Sequence, residues 1–273
     1  MEAGTVPTVI GRPAPLLRGA VSEYIDFDMA GWPPGRHRGL PAGSLTIMLS
    51  RGRPVGVAPQ GDAGGAIRLA ASVSGLITDA VDVLHDGHER GVQVTLTPAG
   101  ARTLLGVPAG VLAGRTEDLG DILGGPPVAA LTEQLACAAG PVERKAVLDR
   151  AFSRLLRQDA TPSPVARAWA GLVATDGRVP ISTLAREVGW SRRHLATQFT
   201  AEVGVSPKAA ARVLRFERVG RLLRAGRAGG LSELAVRCGY YDQAHLSTEW
   251  RSLAGCTLTT WMREELIHLP PLP

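Results

Sequence analysis

Apolar positions in the C-terminal part of the chain recur every three or four residues, and they do so twice in the same arrangement. Ile181, Leu184, Ala185 and Val188 are followed by Gly189 and Trp190, then by His194, Leu195, Phe199 and Gly204. Leu231, Leu234, Ala235 and Cys238 are followed by Gly239 and Tyr240, then by His245, Leu246, Trp250 and Gly255. The offset between the copies is 50 residues as far as Gly189/Gly239 and 51 from His194/His245 onward, so the second copy holds one extra residue in its turn. Each copy predicts a short helix, a glycine exit and a second helix. Ser191 and Asp242 are the expected caps of the second helices. Between the copies, Ser206-Pro207 predicts a helix start, and Lys208 to Arg224 a long helix with Val213, Leu214, Phe216, Val219, Leu222 and Leu223 as its apolar part. Such a helix spans roughly 25 Å. That suits two recognition helices about one DNA turn, roughly 34 Å, apart.

The N-terminal half has another rhythm. Residues 1–20 read as irregular, and Val21 to Met29 as a strand or short helix. Gly31-Trp32-Pro33-Pro34-Gly35 is a turn. Leu45, Ile47 and Leu49 alternate with Ser44, Thr46 and Met48, a strand pattern, and Val92, Val94 and Leu96 alternate in the same way with Gln93, Thr95 and Thr97. Ile67 to Ile77 is a further strand candidate. Short strands between Gly/Pro turns suggest a β-rich barrel or sandwich, closed by short helices at Ala99–Val107 and Glu117–Leu123. After Pro126-Pro127, Val128–Ala138 and Pro141–Arg157 read as helices, Thr161-Pro162-Ser163-Pro164 as a linker, and Val165–Thr175 as the first helix of the next domain. The expected class is α+β: residues 1–125 a β-rich sensing or dimerisation domain, 126–160 a helical connector, 161–265 an all-α double helix-turn-helix domain, and 266–273 a tail.

Charge sharpens this division. Residues 160–273 carry 15 Lys+Arg against 9 Asp+Glu, a net of +6, whereas residues 1–159 carry 15 against 16. The basic excess sits in the repeat region, as phosphate neutralisation requires. Taken alone, Arg212, Arg215, Arg218, Arg221 and Arg224 read more simply as the solvated side of a helix. The 273 residues suffice for two domains. No signal segment opens the chain and no apolar run approaches the ~20 residues of a membrane span, so no membrane partner is expected and the cytoplasm is the expected location.

The region from about Pro164 to Glu265 resembles the DNA-binding domain of the AraC/XylS family of transcription regulators. The resemblance rests on the doubled helix-turn-helix, the long joining helix, and Gly239-Tyr240-Tyr241-Asp242-Gln243-Ala244-His245-Leu246 with Trp250, Gly255 and Trp261. It implies base-facing positions at Arg193, Ala196 and Thr197 and at Ala244, His245 and Thr248, with Gln243 beside them. Arg192 and Arg251 are expected on phosphates. Two departures stand out. Pro180 and Gly230 occupy places where the family often has a serine-like cap, and Ala196 and Ala244 offer a base only methyl packing. The resemblance further implies double-stranded promoter DNA as partner, with RNA polymerase, a small-molecule effector and a second copy of the chain as further possible partners. The effector-binding residues stay unassigned. The N-terminal pieces Gly35-Arg36-His37-Arg38-Gly39-Leu40-Pro41 and Leu104-Leu105-Gly106-Val107 resemble a group of these regulators with a glycine- and proline-rich sensor domain.

Other chemistry weighs less. His85, His88 and Glu89, with His37 upstream, are conceivable metal ligands, but His85-Asp86-Gly87-His88 reads better as a turn between strands, Asp-Gly being a hairpin signal. Arg36-His37-Arg38 reads as a solvated loop before it reads as an anion site. Cys137, Cys238 and Cys256 are too few and scattered for a disulfide framework or zinc cage; Cys238 and Cys256 fit small core positions. No phosphate loop, nucleophile elbow or paired catalytic carboxylates stand out. The chain is therefore expected to be a regulator without catalytic residues, metal or cofactor. Its rivals are a DNA alkylation-repair regulator, against which the single N-terminal cysteine argues, and a helical protein-interaction module.

Overall fold

The structure is a computed structural model that describes residues 8–31, 33–157 and 163–265. The expectations for Trp32, for Thr161-Pro162 in the linker, for residues 1–7 and for the 266–273 tail lie outside the described residues. The described chain divides into two compact units. The first holds residues up to 37, 44–76 and 82–157; the second holds 38–43, 77–81 and 163–265.

The first unit, apart from residues 38–39 of β3 and 81 of β8, holds ten short strands: β1 (Thr8–Gly11), β2 (Val21–Met29), β3 (Gly35–Gly39), β4 (Leu45–Ser50), β5 (Gly56–Pro59), β6 (Ile67–Arg68), β7 (Ala71–Ser74), β8 (Val81–His85), β9 (Glu89–Leu96) and β10 (Thr116–Asp118). Six form a sheet in the order β1-β2-β9-β4-β7-β10, with every neighbour antiparallel. The other sheet runs β3-β8-β5-β6. Alternation sets the buried face of the large sheet: Leu45, Ile47 and Leu49 stand opposite Leu96, Val94 and Val92, and all six are buried. Short helices follow at α1 (Pro98–Gly100), α2 (Ala109–Leu112) and α3 (Leu119–Leu123), then α4 (Gly125–Cys137) and α5 (Pro141–Leu155). On α5, Phe152 stacks on Tyr24 of β2 at 6.4 Å between ring centroids. Buried Asp26 on β2 accepts from Arg144 of α5 and, at 3.1 Å, from Arg51. Asp149 accepts from the Tyr24 hydroxyl at 3.1 Å, and burial together with this carboxylate pushes the Tyr24 hydroxyl well above its ordinary pKa.

Several N-terminal expectations are corrected. β1 lies within the stretch read as irregular, and it gains its ladder by edge pairing to β2. Residues 67–77 hold two strands, β6 and β7, in different sheets. The stretch His85–His88 is the expected turn between strands; it joins β8 to β9, which lie in different sheets. Arg36-His37-Arg38 lies on β3 and forms no loop; Arg36 pairs with buried Asp82 at 2.9 Å. The His37 ring sits 5.8 Å from that of His85. Burial, with His85 adding to it, pushes the His37 pKa down to about 4. Among the described residues, no group of three or more His, Cys, Asp or Glu could hold a metal ion.

The second unit is helical: α6 (Pro164–Ala174), α7 (Ile181–Glu187), α8 (Arg192–Val203), α9 (Pro207–Arg224), α10 (Leu231–Arg237), α11 (Gln243–Ala254) and α12 (Leu258–Glu264). The repeat positions are its core. Leu184, Ala185, Leu195 and Phe199 are buried in the first copy, and Leu234, Ala235, Cys238, Leu246 and Trp250 in the second. No helix among the described residues is long and apolar enough to cross a membrane.

Candidate nucleic-acid interface

The two helix-turn-helix copies are α7–α8 and α10–α11, with α9 between them. α7 and α10 begin at Pro180 and Gly230 without a side-chain cap, in keeping with the departures noted in the sequence. α8 and α11 are capped. Ser191 accepts from the His194 N–H at 3.1 Å, and Asp242 from the His245 N–H at 2.7 Å. These bonds fix the first turn of each second helix, the turn that carries most of the candidate contact residues.

The arginines of α9 are not a merely solvated row, which corrects the simpler reading of that run. Asp176, in the turn after α6, accepts from Arg221 at 2.5 Å and also from Arg218. Arg215 donates to the carbonyl of Gly177 at 2.9 Å, while its guanidinium lies 5.9 Å from the centre of the Tyr240 ring. One side chain thus touches the entry of the first copy and the turn of the second. Arg212 makes a two-pronged bond to Glu249 of α11, at 2.7 and 3.1 Å. Arg224 bonds back to the carbonyl of Gly220. The Asp176-Gly177 turn is conformationally demanding: Asp176 has φ +47 and Gly177 φ +71. A Cβ on Gly177 would stand 2.2 Å from the carbonyl oxygen of Ala211. Glycine is therefore required where the turn meets α9.

Aromatic packing completes the frame. In the first copy Trp169 of α6 lies 6.0 Å from Phe199. In the second, Phe216 of α9 lies 4.4 Å from Trp250, which lies 5.1 Å from Trp261. Such pairs add directional attraction to the burial of their area.

The faces left outward are those where candidate residues were expected. Arg192, Arg193 and Thr197 on α8 are exposed, as are Gln243, Ala244, His245, Thr248 and Arg251 on α11. Ala196 is half-buried and is the least available of the set. Among the described residues, the guanidiniums of Arg192, Arg193 and Arg251 bond to nothing. Thr197 donates its hydroxyl to the carbonyl of Arg193 at 3.1 Å, so it shows outward an acceptor lone pair and a methyl group. Gln243 accepts from Ser232 of α10 at 3.0 Å, which leaves its amide nitrogen to donate. Sequence reasoning missed His194. It is exposed, and the 51-residue offset that pairs it with His245 was the available signal. It also missed Tyr241, 88% exposed at the mouth of α11.

Residues 184–264 match a family described as a helix-turn-helix domain. The structure of ToxT from Vibrio cholerae O395 is similar over 98% of this chain and 99% of that one, at 12% identity and a TM-score of 0.51. An apo ToxT variant from Vibrio cholerae strain SCE256 is similar over 90% and 97%, at 11% identity and a TM-score of 0.54. The DNA-binding domain of the global transcriptional factor AdpA, in complex with a target DNA, matches 38% of this chain and 96% of its own at 21% identity, with a TM-score of 0.34. No curated protein matches the chain. At such identities the likeness is one of fold. Taken with the doubled motif, the match makes residues 184–264 a helix-turn-helix domain of the AraC type.

Proposed function

We propose that the chain regulates transcription by binding promoter DNA with both helix-turn-helix copies at once, under the control of a small molecule taken up by the β-rich unit. The observation that carries the DNA part is the joining of α8 and α11 through α9, which packs against both. The arginines that could have contacted DNA from α9 are tied to Asp176, Gly177 and Glu249, while those on α8 and α11 are free. Arg193, Thr197, Ala244, His245 and Thr248 take base edges in two successive major grooves, and Arg192 and Arg251 take phosphates. Gln243, held by Ser232, donates to a phosphate or base edge beside them.

Control by a small molecule is supported by a cleft of the first unit between β1, β2 and the start of α5. It is walled by Val9, Ile10 and Leu148 and carries Asp26, Arg144 and Lys145. A mostly apolar cleft with a few charged groups is the usual form of a ligand site. The cytoplasm is the proposed site of action.

Binding of the intact protein to promoter-length DNA across a range of salt concentrations tests this reading. Log affinity is expected to fall linearly with log salt. Arg192→Ala and Arg251→Ala are each expected to lower affinity for all sequences and to reduce that slope by about one. A salt-independent affinity, or slopes untouched by both changes, would remove the reading.

A further inference from the structure

The copies differ by one residue in their turns, and that residue is Tyr241. Gly189-Trp190-Ser191 leads into α8, whereas Gly239-Tyr240-Tyr241-Asp242 leads into α11, with Ser191 and Asp242 as the equivalent caps. The inserted residue has a structural consequence. Its backbone N–H donates to Nδ1 of His245 at 3.3 Å. In both copies the histidine ring packs edge-on against the aromatic residue after the glycine: His194 against Trp190 at 4.5 Å, His245 against Tyr240 at 5.4 Å. Only in the second is the imidazole also held by a hydrogen bond, among the described residues.

A ring nitrogen that accepts carries no proton, so the neutral imidazole of His245 holds its proton on Nε2. With Nδ1 occupied, His245 has one polar function left, an Nε2–H donor on an exposed side chain of the outward face of α11. A lone donor cannot pair with the amino groups of adenine or cytosine. In the major groove, guanine presents two adjacent acceptors, N7 and O6, to such a donor, whereas thymine presents only O4 beside its methyl group and adenine only N7 beside an amino donor.

We infer that Tyr241 fixes His245 as a hydrogen-bond donor and so makes the second helix-turn-helix select guanine at the base pair facing His245. His194, without the inserted amide, keeps both ring nitrogens open and imposes no such selection. The inference rests on the DNA-binding reading above.

The test is selection from a random-sequence DNA pool with the intact wild-type protein, the His245→Ala and Tyr241→Ala variants, and a deletion of Tyr241. The selected duplex is then titrated with 7-deazaguanine or O6-methylguanine at the critical position. The wild type is expected to select one guanine in one block and to lose about 3- to 10-fold in affinity with at least one of the modified bases. His245→Ala is expected to lose that guanine preference alone and to ignore both modifications. Tyr241→Ala keeps the backbone amide and is expected to keep the preference; the deletion is expected to abolish it. The same guanine selected by His245→Ala or by the deletion variant, or indifference of the wild type to both modified bases, overturns the inference while salt-dependent binding persists. Absence of salt-dependent binding by the wild type overturns the DNA-binding reading, and this inference with it.

Discussion

The two helix-turn-helix copies follow one plan, yet the shared helix α9 holds them by different means. The first is tied mainly by charge and backbone: Arg218 and Arg221 grip Asp176, and Arg215 grips the Gly177 carbonyl. The second is tied mainly by rings, with Phe216, Trp250 and Trp261 in one stack and the Arg212–Glu249 pair at its side. A repeat therefore conserves the positions that must be buried while leaving open how each copy is anchored. The outward faces of the two copies also differ. α8 offers two unpaired guanidiniums and a threonine, whereas α11 offers a tethered glutamine, an alanine, an oriented histidine, a threonine and one unpaired guanidinium.

The largest break in this comparison is expected from Trp250→Ala. Removing a fully buried ring shared with Phe216 and Trp261 should cost about 3–5 kcal/mol and unfold the second copy first, read by urea unfolding of the intact protein and by hydrogen exchange at α10 and α11.

Asp176→Ala should weaken the first copy instead. Two charge-assisted bonds are lost from a partly exposed site, an expected cost of about 2 kcal/mol. Asp176→Asn should cost less, because asparagine tolerates the positive φ and keeps one acceptor. Exchange protection at α7 and α8 should fall while that at α11 holds. Equal losses in both copies would mean that the two anchors act as one.

A change in the first unit sharpens the contrast by acting outside both copies. Burial, with the Asp86 charge adding to it, raises the Glu89 carboxyl pKa to about 7. A folded value above the unfolded one means that stability is full below about 4.5 and is lost as pH rises through about 7. Glu89→Gln should therefore stabilise the first unit at pH 8 by about 1–2 kcal/mol, less than the full shift because solvent screens the group. The gain should shrink toward pH 4.5, and DNA affinity should not change. His37 works in the opposite sense: its stability is present above 6.5 and is lost as pH falls through about 4. Unfolding midpoints measured across pH separate the two groups.

What the sequence revealed and what it hid have physical causes. The helical unit was legible because a 3.6-residue period, a glycine exit and a capping side chain are local signals, and here they occur twice. The strands β1, β5 and β8 were missed because each is only four or five residues long, lies among Gly and Pro, and owes its place to partners distant in sequence. The α9 arginines looked like a solvated row because nothing in their spacing points to Asp176, about 40 residues earlier. His245 and most of its neighbours were legible as outward positions of an amphipathic helix. The bond that orients His245 was not, although the one-residue insertion that creates it stood in the repeat offset.

The central claim is that one chain presents two recognition helices to DNA in a fixed relation. Selection from a random-sequence pool with the intact protein tests it most directly. The expected result is two enriched blocks whose centres lie about 10–10.5 base pairs apart, with a spacing that does not vary between selected sequences. A single block, or two blocks at variable spacing, would contradict the claim.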